Sequence, residues 1–278
     1  MKSLSIRISA DGLSFCVYAP AEQQRYTYHV YQMNPVISVA ANLKQALQND
    51  SLLQADYQRV NVLIATPQYT TVPVVAFDRE RIEDVFHFVF PKATQSHISY
   101  NVLRRSGIAV IFGLDKNVYQ LLRDDFPRAR FYASASTLIE YLGEQSLGGA
   151  GRKLYVYLHE GFNVVGTQGK YEMEIYCFDQ GRMTFVNSYP VNGIDDCQYY
   201  ALSVWQQMHL DQLADTFCIV DEDDLSRQLA GKIKYFIKHT QLISRTDDQV
   251  LHSFGTSAAV SSAPRIPYDL QTLLVCGF

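Results

Sequence analysis

Two acidic residues, each followed by glycine, stand at matching points of the two halves of this 278-residue chain: Asp11-Gly12 and Glu160-Gly161. Asp-Gly between alternating apolar residues is a strong two-residue hairpin turn, because glycine tolerates positive φ and aspartate nearly so. A third acidic group, Val220-Asp221-Glu222-Asp223-Asp224, follows a short apolar run. Other reactive residue types are thinly spread. A Ser or Cys nucleophile needs a His and an orienting acid, and the seven His residues, at 29, 87, 97, 159, 209, 239 and 252, form no readable triad. His159 is the one to follow, since it adjoins the Glu160-Gly161 turn. Cys16, Cys177, Cys197, Cys218 and Cys276 are odd in number and scattered through apolar runs. They read as reduced, buried thiols of a cytoplasmic protein. Neither a Cys-x-x-Cys pair nor a His cluster with metal-ligand spacing occurs. The sequence therefore assigns no catalytic residue and no metal site.

Composition narrows the class further. The net charge is −4 and no run of Lys or Arg occurs, so the electrostatic footprint of a nucleic-acid binder is absent. No stretch approaches the roughly 20 apolar residues of a membrane helix, and the amino terminus, MKSLSIRIS, has no apolar signal region. Apolar residues make up 47% of the chain, enough for a core in each of two modest domains. Nineteen Tyr and fifteen Phe favour sheet-rich packing.

The elements that must hold these residues follow from periodicity. Leu4–Ser9, Leu13–Tyr18 and Arg25–Gln32 alternate as three antiparallel strands. Pro35 then opens a helix with the stripe Val36, Val39, Ala40, Leu43 and Leu47. Arg59–Ala65 is continuously aliphatic, as a strand buried on both faces should be. Thr70–Phe77 is extended, Asp78 caps a helix, Gly107–Leu114 is β-like and Asp115 caps another helix. Arg130–Ala133 is a strand, and Ser136 caps a helix. The flexible stretch SLGGAG, residues 146–151, marks a boundary between domains 1–150 and 151–278. Beyond it the plan recurs. Lys153–His159, Phe162–Thr167, Glu172–Phe178 and Met183–Tyr189 are extended, and Asp195 or Asp196 caps a helix. A short strand at Thr216–Val220, a helix with Leu225, Leu229, Ile233 and Phe236 inward, and an extended run at His239–Ser244 come next. Thr246–Pro264 reads as a loop, and Pro267–Phe278 as either helix or strand.

Antiparallel strands joined to strand–helix crossovers make a mixed α/β sheet flanked by helices. This is the plan of a ribonuclease-H-like domain, and two copies in one chain look like the actin-like ATPase fold. A nuclease of that class needs carboxylates clustered on its central strands, and Leu4–Ser9 has none. Closer carriers of likeness are Phe185-Val186-Asn187-Ser188-Tyr189, Asp195-Asp196, Tyr199-Tyr200, and Thr71-Val72-Pro73 before Phe77-Asp78. Together these resemble an uncharacterised bacterial family with the actin-like ATPase fold, distantly similar to PilM-like pilus-assembly proteins.

The resemblance implies a nucleotide site in the cleft between two domains, with one hairpin from each wrapping the phosphates and an Asp holding hydrated Mg²⁺. Under it Asp11 and Gly12 in the first hairpin, and Glu160 and Gly161 in the second, would line that site. The match is partial. The loop Ser9–Ser14 carries no Lys or Arg, and the second hairpin keeps one glycine followed by bulky Phe162. Active members have a Gly-Gly turn where this chain has Val220–Asp224, whose carboxylates repel a triphosphate. The expectation is a protein with degenerate phosphate loops and no cofactor, acting as an interaction or scaffold protein on an unspecified protein partner. Exposed sheet edges also permit a homodimer. The alternatives are a divergent ATPase or small-molecule kinase that binds Mg-ATP in the interdomain cleft, and a binder of another anion there.

Overall fold

The computed structural model describes residues 2–9, 12–19, 21, 26–149, 151–160, 170–220, 224–243 and 266–276. Alternation works as expected at the start of the chain. Strands β1 (Ser3–Ser9) and β2 (Gly12–Tyr18) pair antiparallel from Ser3↔Tyr18 to Ser9↔Gly12, with Leu4, Ile6, Leu13 and Phe15 buried. Strand β3 (Tyr26–Tyr31) adds antiparallel to β2. Helix α1 (Val39–Asn49) then carries the chain to β4 (Arg59–Ile64), which lies parallel to β1, and β8 (Arg130–Ala133) lies parallel to β4. The resulting order is β3-β2-β1-β4-β8.

The second sheet repeats that order and those senses. Strands β9 (Lys153–Glu160), β10 (Tyr171–Asp179) and β11 (Arg182–Val191) are antiparallel. Helix α5 (Ile194–Gln207) leads to β12 (Thr216–Val220), and α6 (Asp224–Ile233) leads to β13 (His239–Ile243); both strands are parallel to β9 or to each other. The order is β11-β10-β9-β12-β13. One face of β9, β10 and β12 presents Leu154, Val156, Met173, Ile175, Phe217 and Ile219 to Ala201 and Val204 of α5 and to Leu229 and Ile233 of α6. Two ribonuclease-H-like sheets with the same topology are thus built by one chain.

Between β4 and β8 the first copy carries an insertion. Strands β5 (Tyr69–Pro73), β6 (Ser96–Leu103) and β7 (Ile108–Asp115) form their own antiparallel sheet in the order β5-β7-β6. Helix α2 (Ile82–Val89) lays Phe86 against Ile98 and Ile111. That contact needs Gly113, since a Cβ there would lie 2.5 Å from the Phe86 ring. Helix α3 (Lys116–Asp125) follows, with Asp115 accepting from the N–H groups of Asn117 and Val118.

Strand β6 escapes the sequence reading because half its residues are polar. Its Asn101 has a specific task. The amide Nδ2 donates to the Phe131 carbonyl at 2.8 Å, and Oδ1 accepts from the Ala133 N–H at 3.0 Å and the Ser136 hydroxyl at 2.8 Å. The side chain thereby substitutes for a strand along the edge of β8.

Several boundaries differ from expectation for local reasons. Helix α1 begins at Val39 rather than at Pro35, because the Ser38 hydroxyl accepts from the Ala41 N–H. Strand β5 stops at Pro73, which has no N–H to donate. Asp78 does cap, accepting from the Glu80 N–H at 2.9 Å, but a single 3₁₀ turn intervenes before α2. Helix α4 (Ser134–Gln145) starts two residues before Ser136. Helix α5 starts after extended Gly193; Asp196 accepts from the Asn192 N–H, and Asp195 pairs with Lys232 at 2.7 Å. The runs at Phe162–Thr167 and Thr246–Pro264 lie outside the described residues. No described helix is long and apolar enough to cross a membrane.

Contacts divide the chain into two compact units: Met1–Thr137 with Ser253–Phe278, and Leu138–His252. The last described element, α7 (Tyr268–Cys276), is a helix and belongs with the first unit. Its Leu270 and Leu273 pack on Cys16, Leu63 and Tyr132, which share one face of the first sheet. At the centre of that face Arg7 Nε donates to both carboxylate oxygens of Asp269 at 2.9 Å, and the two residues are 3% and 0% exposed. Removing one member of a buried pair leaves the other charge uncompensated. Asp269→Ala should therefore lower unfolding stability by about 3–5 kcal/mol. Arg7→Met combined with Asp269→Leu should recover most of that loss in urea melts. A double variant no better than the single one would show that the pair is not what holds α7.

Candidate functional site at the two hairpin roots

The first hairpin is anchored from below. Gly12 opens β2 at φ +142°, a conformation that L side chains rarely adopt, opposite Ser9. The Ser9 hydroxyl donates to the Gly12 carbonyl at 3.2 Å and accepts from Nη1 of Arg7. Asp269, which holds Arg7, also accepts from the Ser134 hydroxyl at 3.0 Å and from the Leu270 N–H at 2.8 Å. A continuous polar chain therefore runs from α7 through Arg7 and Ser9 to the hairpin. The guanidinium two residues before Ser9 is neutralised inside the protein, so it brings no free charge to a phosphate. Asp11 lies outside the described residues.

The second hairpin has a different root. Strand β9 ends at Glu160, whose backbone pairs with Tyr171, and Gly161 lies outside the described residues. Beside this end, β9–β11 gather five polar side chains on the face turned away from α5 and α6, with Glu172, Glu174 and Tyr176 buried and His159 and Ser188 half-buried. His159 Nε2 lies 3.0 Å from Glu174 Oε1, and the Tyr176 hydroxyl donates to Glu174 Oε2. The Ser188 hydroxyl donates to Glu172 Oε1. Glu172 is 6% exposed and Glu174 1%. Burial pushes the Glu172 carboxyl above the usual carboxylate range; the Ser188 hydrogen bond and His159 pull it back, and Glu174 adds repulsion. The sequence pointed to His159 and Glu160 here. The structure brings His159 together with Glu172, Glu174, Tyr176 and Ser188, four residues the sequence reading did not connect. Their one signal is the spacing of Glu172, Glu174 and Tyr176, which places them on one face of a strand.

At the third expected position, Asp221–Asp223 lie outside the described residues, and Asp224 starts α6 with Arg227 as its exposed ion-pair partner. The residues that carried the family resemblance have packing roles. Ser188 covers Glu172, and the Tyr189 ring stacks on Tyr200 at 4.6 Å. Trp205 packs on Phe217, and Tyr199 is exposed.

Other chemistries find little support. Among the described residues no group of three or more His, Cys, Asp or Glu is arranged to hold a metal ion. Burial pushes the thiols of Cys16 and Cys218 up to about 12, and that of Cys177 upward as well, which suppresses the nucleophilic thiolate. The other partnered histidines lie apart: His29 beside Asp50, His97 stacked on Tyr119, and His239 on the Leu213 carbonyl.

The raised carboxyl gives a test with a sign. A folded pKa above the unfolded one means that the native state holds this proton more tightly. Stability from Glu172 is then greatest at acid pH and falls as pH rises from the ordinary carboxylate value through the raised one. Glu172→Gln keeps an acceptor for Ser188 and removes that penalty. The variant should melt higher than the parent at about pH 8, with the gap closing towards about pH 4. A lower melting temperature at about pH 8 would contradict this account of the site.

No curated protein matches the sequence. Among solved structures, a protein from Bacteroides thetaiotaomicron VPI-5482 with an actin-like ATPase fold and unknown function is similar, at 28% identity and a TM-score of 0.78. The likeness covers 91% of this chain and 94% of that one. The PilM–PilN type IV pilus biogenesis complex is similar at 9% identity and a TM-score of 0.50, over 98% of this chain and 94% of that one, a likeness of fold. With two five-stranded sheets of one topology, the chain has the actin-like ATPase fold. Residues 1–240 match the family described as a protein of unknown function, DUF3822, and the chain belongs to that family.

Proposed function

We propose that this protein is a non-catalytic member of the actin-like ATPase fold that works by binding a protein partner. One observation carries the reading: the buried charged side chains described at the two hairpin roots, Arg7, Glu172 and Glu174, are engaged within the protein. Arg7 is spent on Asp269 and Ser9, and Glu172 and Glu174 are buried against Ser188, Tyr176 and His159. A triphosphate brought to the first hairpin finds no free guanidinium on β1, and one brought to the second finds two buried carboxylates. In the sequence, the acidic run Asp221–Asp224 takes the place of the Gly-Gly turn that the resemblance implies for active members, and its carboxylates disfavour a triphosphate. The similar PilM structure was solved in complex with PilN, so this fold serves partner binding in that protein. Buried thiols at Cys16 and Cys218 fit a reducing compartment such as the cytoplasm.

The competing reading, a divergent ATPase or small-molecule kinase, uses Mg-ATP with Asp11, Gly12, Glu160 and Gly161 as its contacts. The two separate cleanly. Anything that binds the native state raises its melting temperature by mass action. Millimolar Mg-ATP should leave the melting temperature unchanged, and no phosphate release should be measurable. A saturable rise of several degrees that disappears in Asp11→Ala would establish the competing reading.

A further inference from the structure

At the end of the first sheet remote from Gly12, a groove of about 970 Å³ opens between the segment after α1 and the turn after α3. Its base is formed by the starts of two parallel strands, where Arg59 opens β4 and Arg130 opens β8. Arg128 stands on the rim, and Tyr57 and Phe126 contribute one aromatic ring from each side. Neither Arg59, Arg128 nor Arg130 is ion-paired with a carboxylate among the described residues, and the Arg59 Nε is buried without a hydrogen-bond partner among them. A chain of net charge −4 thus gathers three unpaired guanidinium groups in one concavity.

The walls are held before any ligand arrives. The Tyr57 hydroxyl donates to the Leu52 carbonyl at 2.6 Å, and Lys2 Nζ lies 5.7 Å from the Tyr57 ring centre. On the other side Arg123 Nη1 donates to the carbonyls of Pro127 and Ala129 at 3.1 and 2.9 Å, and its guanidinium lies over the Phe131 ring. The turn carrying Arg128 is therefore fixed by hydrogen bonds, so little ordering entropy is lost on binding.

Charge and shape select the occupant. Asp56 and Asp125 also line the groove, leaving a modest positive excess of three arginines over two aspartates. That balance disfavours a compact polyphosphate and suits a chain that alternates acidic with uncharged or apolar residues. The arginines come from three separate backbone positions along an open trough, and Arg and Tyr are residue types enriched at protein interfaces. We infer that this groove is a docking site for an acidic segment of a partner protein. The inference rests on the reading of the chain as a partner-binding protein and supplies the surface and the chemistry.

The test uses the full chain and a fluorescein-labelled peptide of about a dozen residues alternating Glu with Leu and Phe, beside the same peptide with Gln for Glu. Anisotropy should show saturable binding of the acidic peptide that weakens as salt rises. Binding should be at least about tenfold weaker for the Gln peptide and for Arg128→Ala/Arg130→Ala. Both arginines are exposed, and an unchanged melting temperature confirms that the variant is folded. Absence of saturation, or equal affinity in the variant, would overturn the proposal. So would displacement of the peptide by low millimolar inorganic phosphate, which would make the groove a small-anion site. Mg-ATP binding alongside intact, arginine-dependent peptide binding would overturn the non-catalytic reading and leave the groove standing.

Discussion

A guanidinium and a carboxylate taken out of water together are tolerable; either one alone is not. That rule, applied to Arg7 and Asp269, governs much of the first unit. The residues lie 262 positions apart, on the first strand and on the last described helix. Because Arg7 sits among Cys16, Leu63 and Tyr132 on one sheet face, the sheet cannot close that face without bringing Asp269 to it. The apolar residues Leu270 and Leu273 supply the burial, and the ion pair supplies the register of α7 on β1. Thr137 and Thr272 repeat the arrangement in uncharged form, with the Thr272 hydroxyl donating to Thr137 Oγ1 at 3.0 Å. The first copy of the repeat is therefore completed by chain that follows the second.

The same constraint reaches the hairpin. Arg7 holds Ser9, and Ser9 holds the carbonyl of Gly12, so the turn is set by bonds that begin at α7. The second copy keeps the sheet order and replaces this root with an acidic one built from His159, Glu172, Glu174, Tyr176 and Ser188. Apolar faces preserve the topology in both copies. The polar faces beneath the hairpins diverge, and there the two roots have become internal structure. The arginine-lined groove proposed for a partner lies at the opposite end of β1 and β4.

What could be read from the sequence divides along the range of the interactions involved. The strands of both sheets and the close pairing of β1 with β2 depend on neighbours within a few residues, so alternation and glycine placement disclose them. The repeat itself was legible for the same reason. Strand β6 was not, since polar residues such as Asn101, which break an apolar run, are accounted for by the distant edge of β8. Nor was the partner of Arg7, which no local pattern links to Asp269. Glu172 and Glu174 alternate with Met173 and Ile175, and such a strand reads as one face in the core and one in water. Their burial depends on Tyr176, Ser188 and His159 converging from three strands, which is a property of the folded sheet.

The central claim is that the polar groups at the first hairpin are committed internally and do not receive a nucleotide. The most direct measurement is residue-resolved: amide NMR spectra of isotopically labelled protein recorded while Mg-ATP is added. The account predicts that the Ser9 and Gly12 amide signals, and the Arg7 Nε–H signal, stay where they are at millimolar nucleotide. Progressive, saturable movement of the Gly12 amide together with the Arg7 side chain would contradict it.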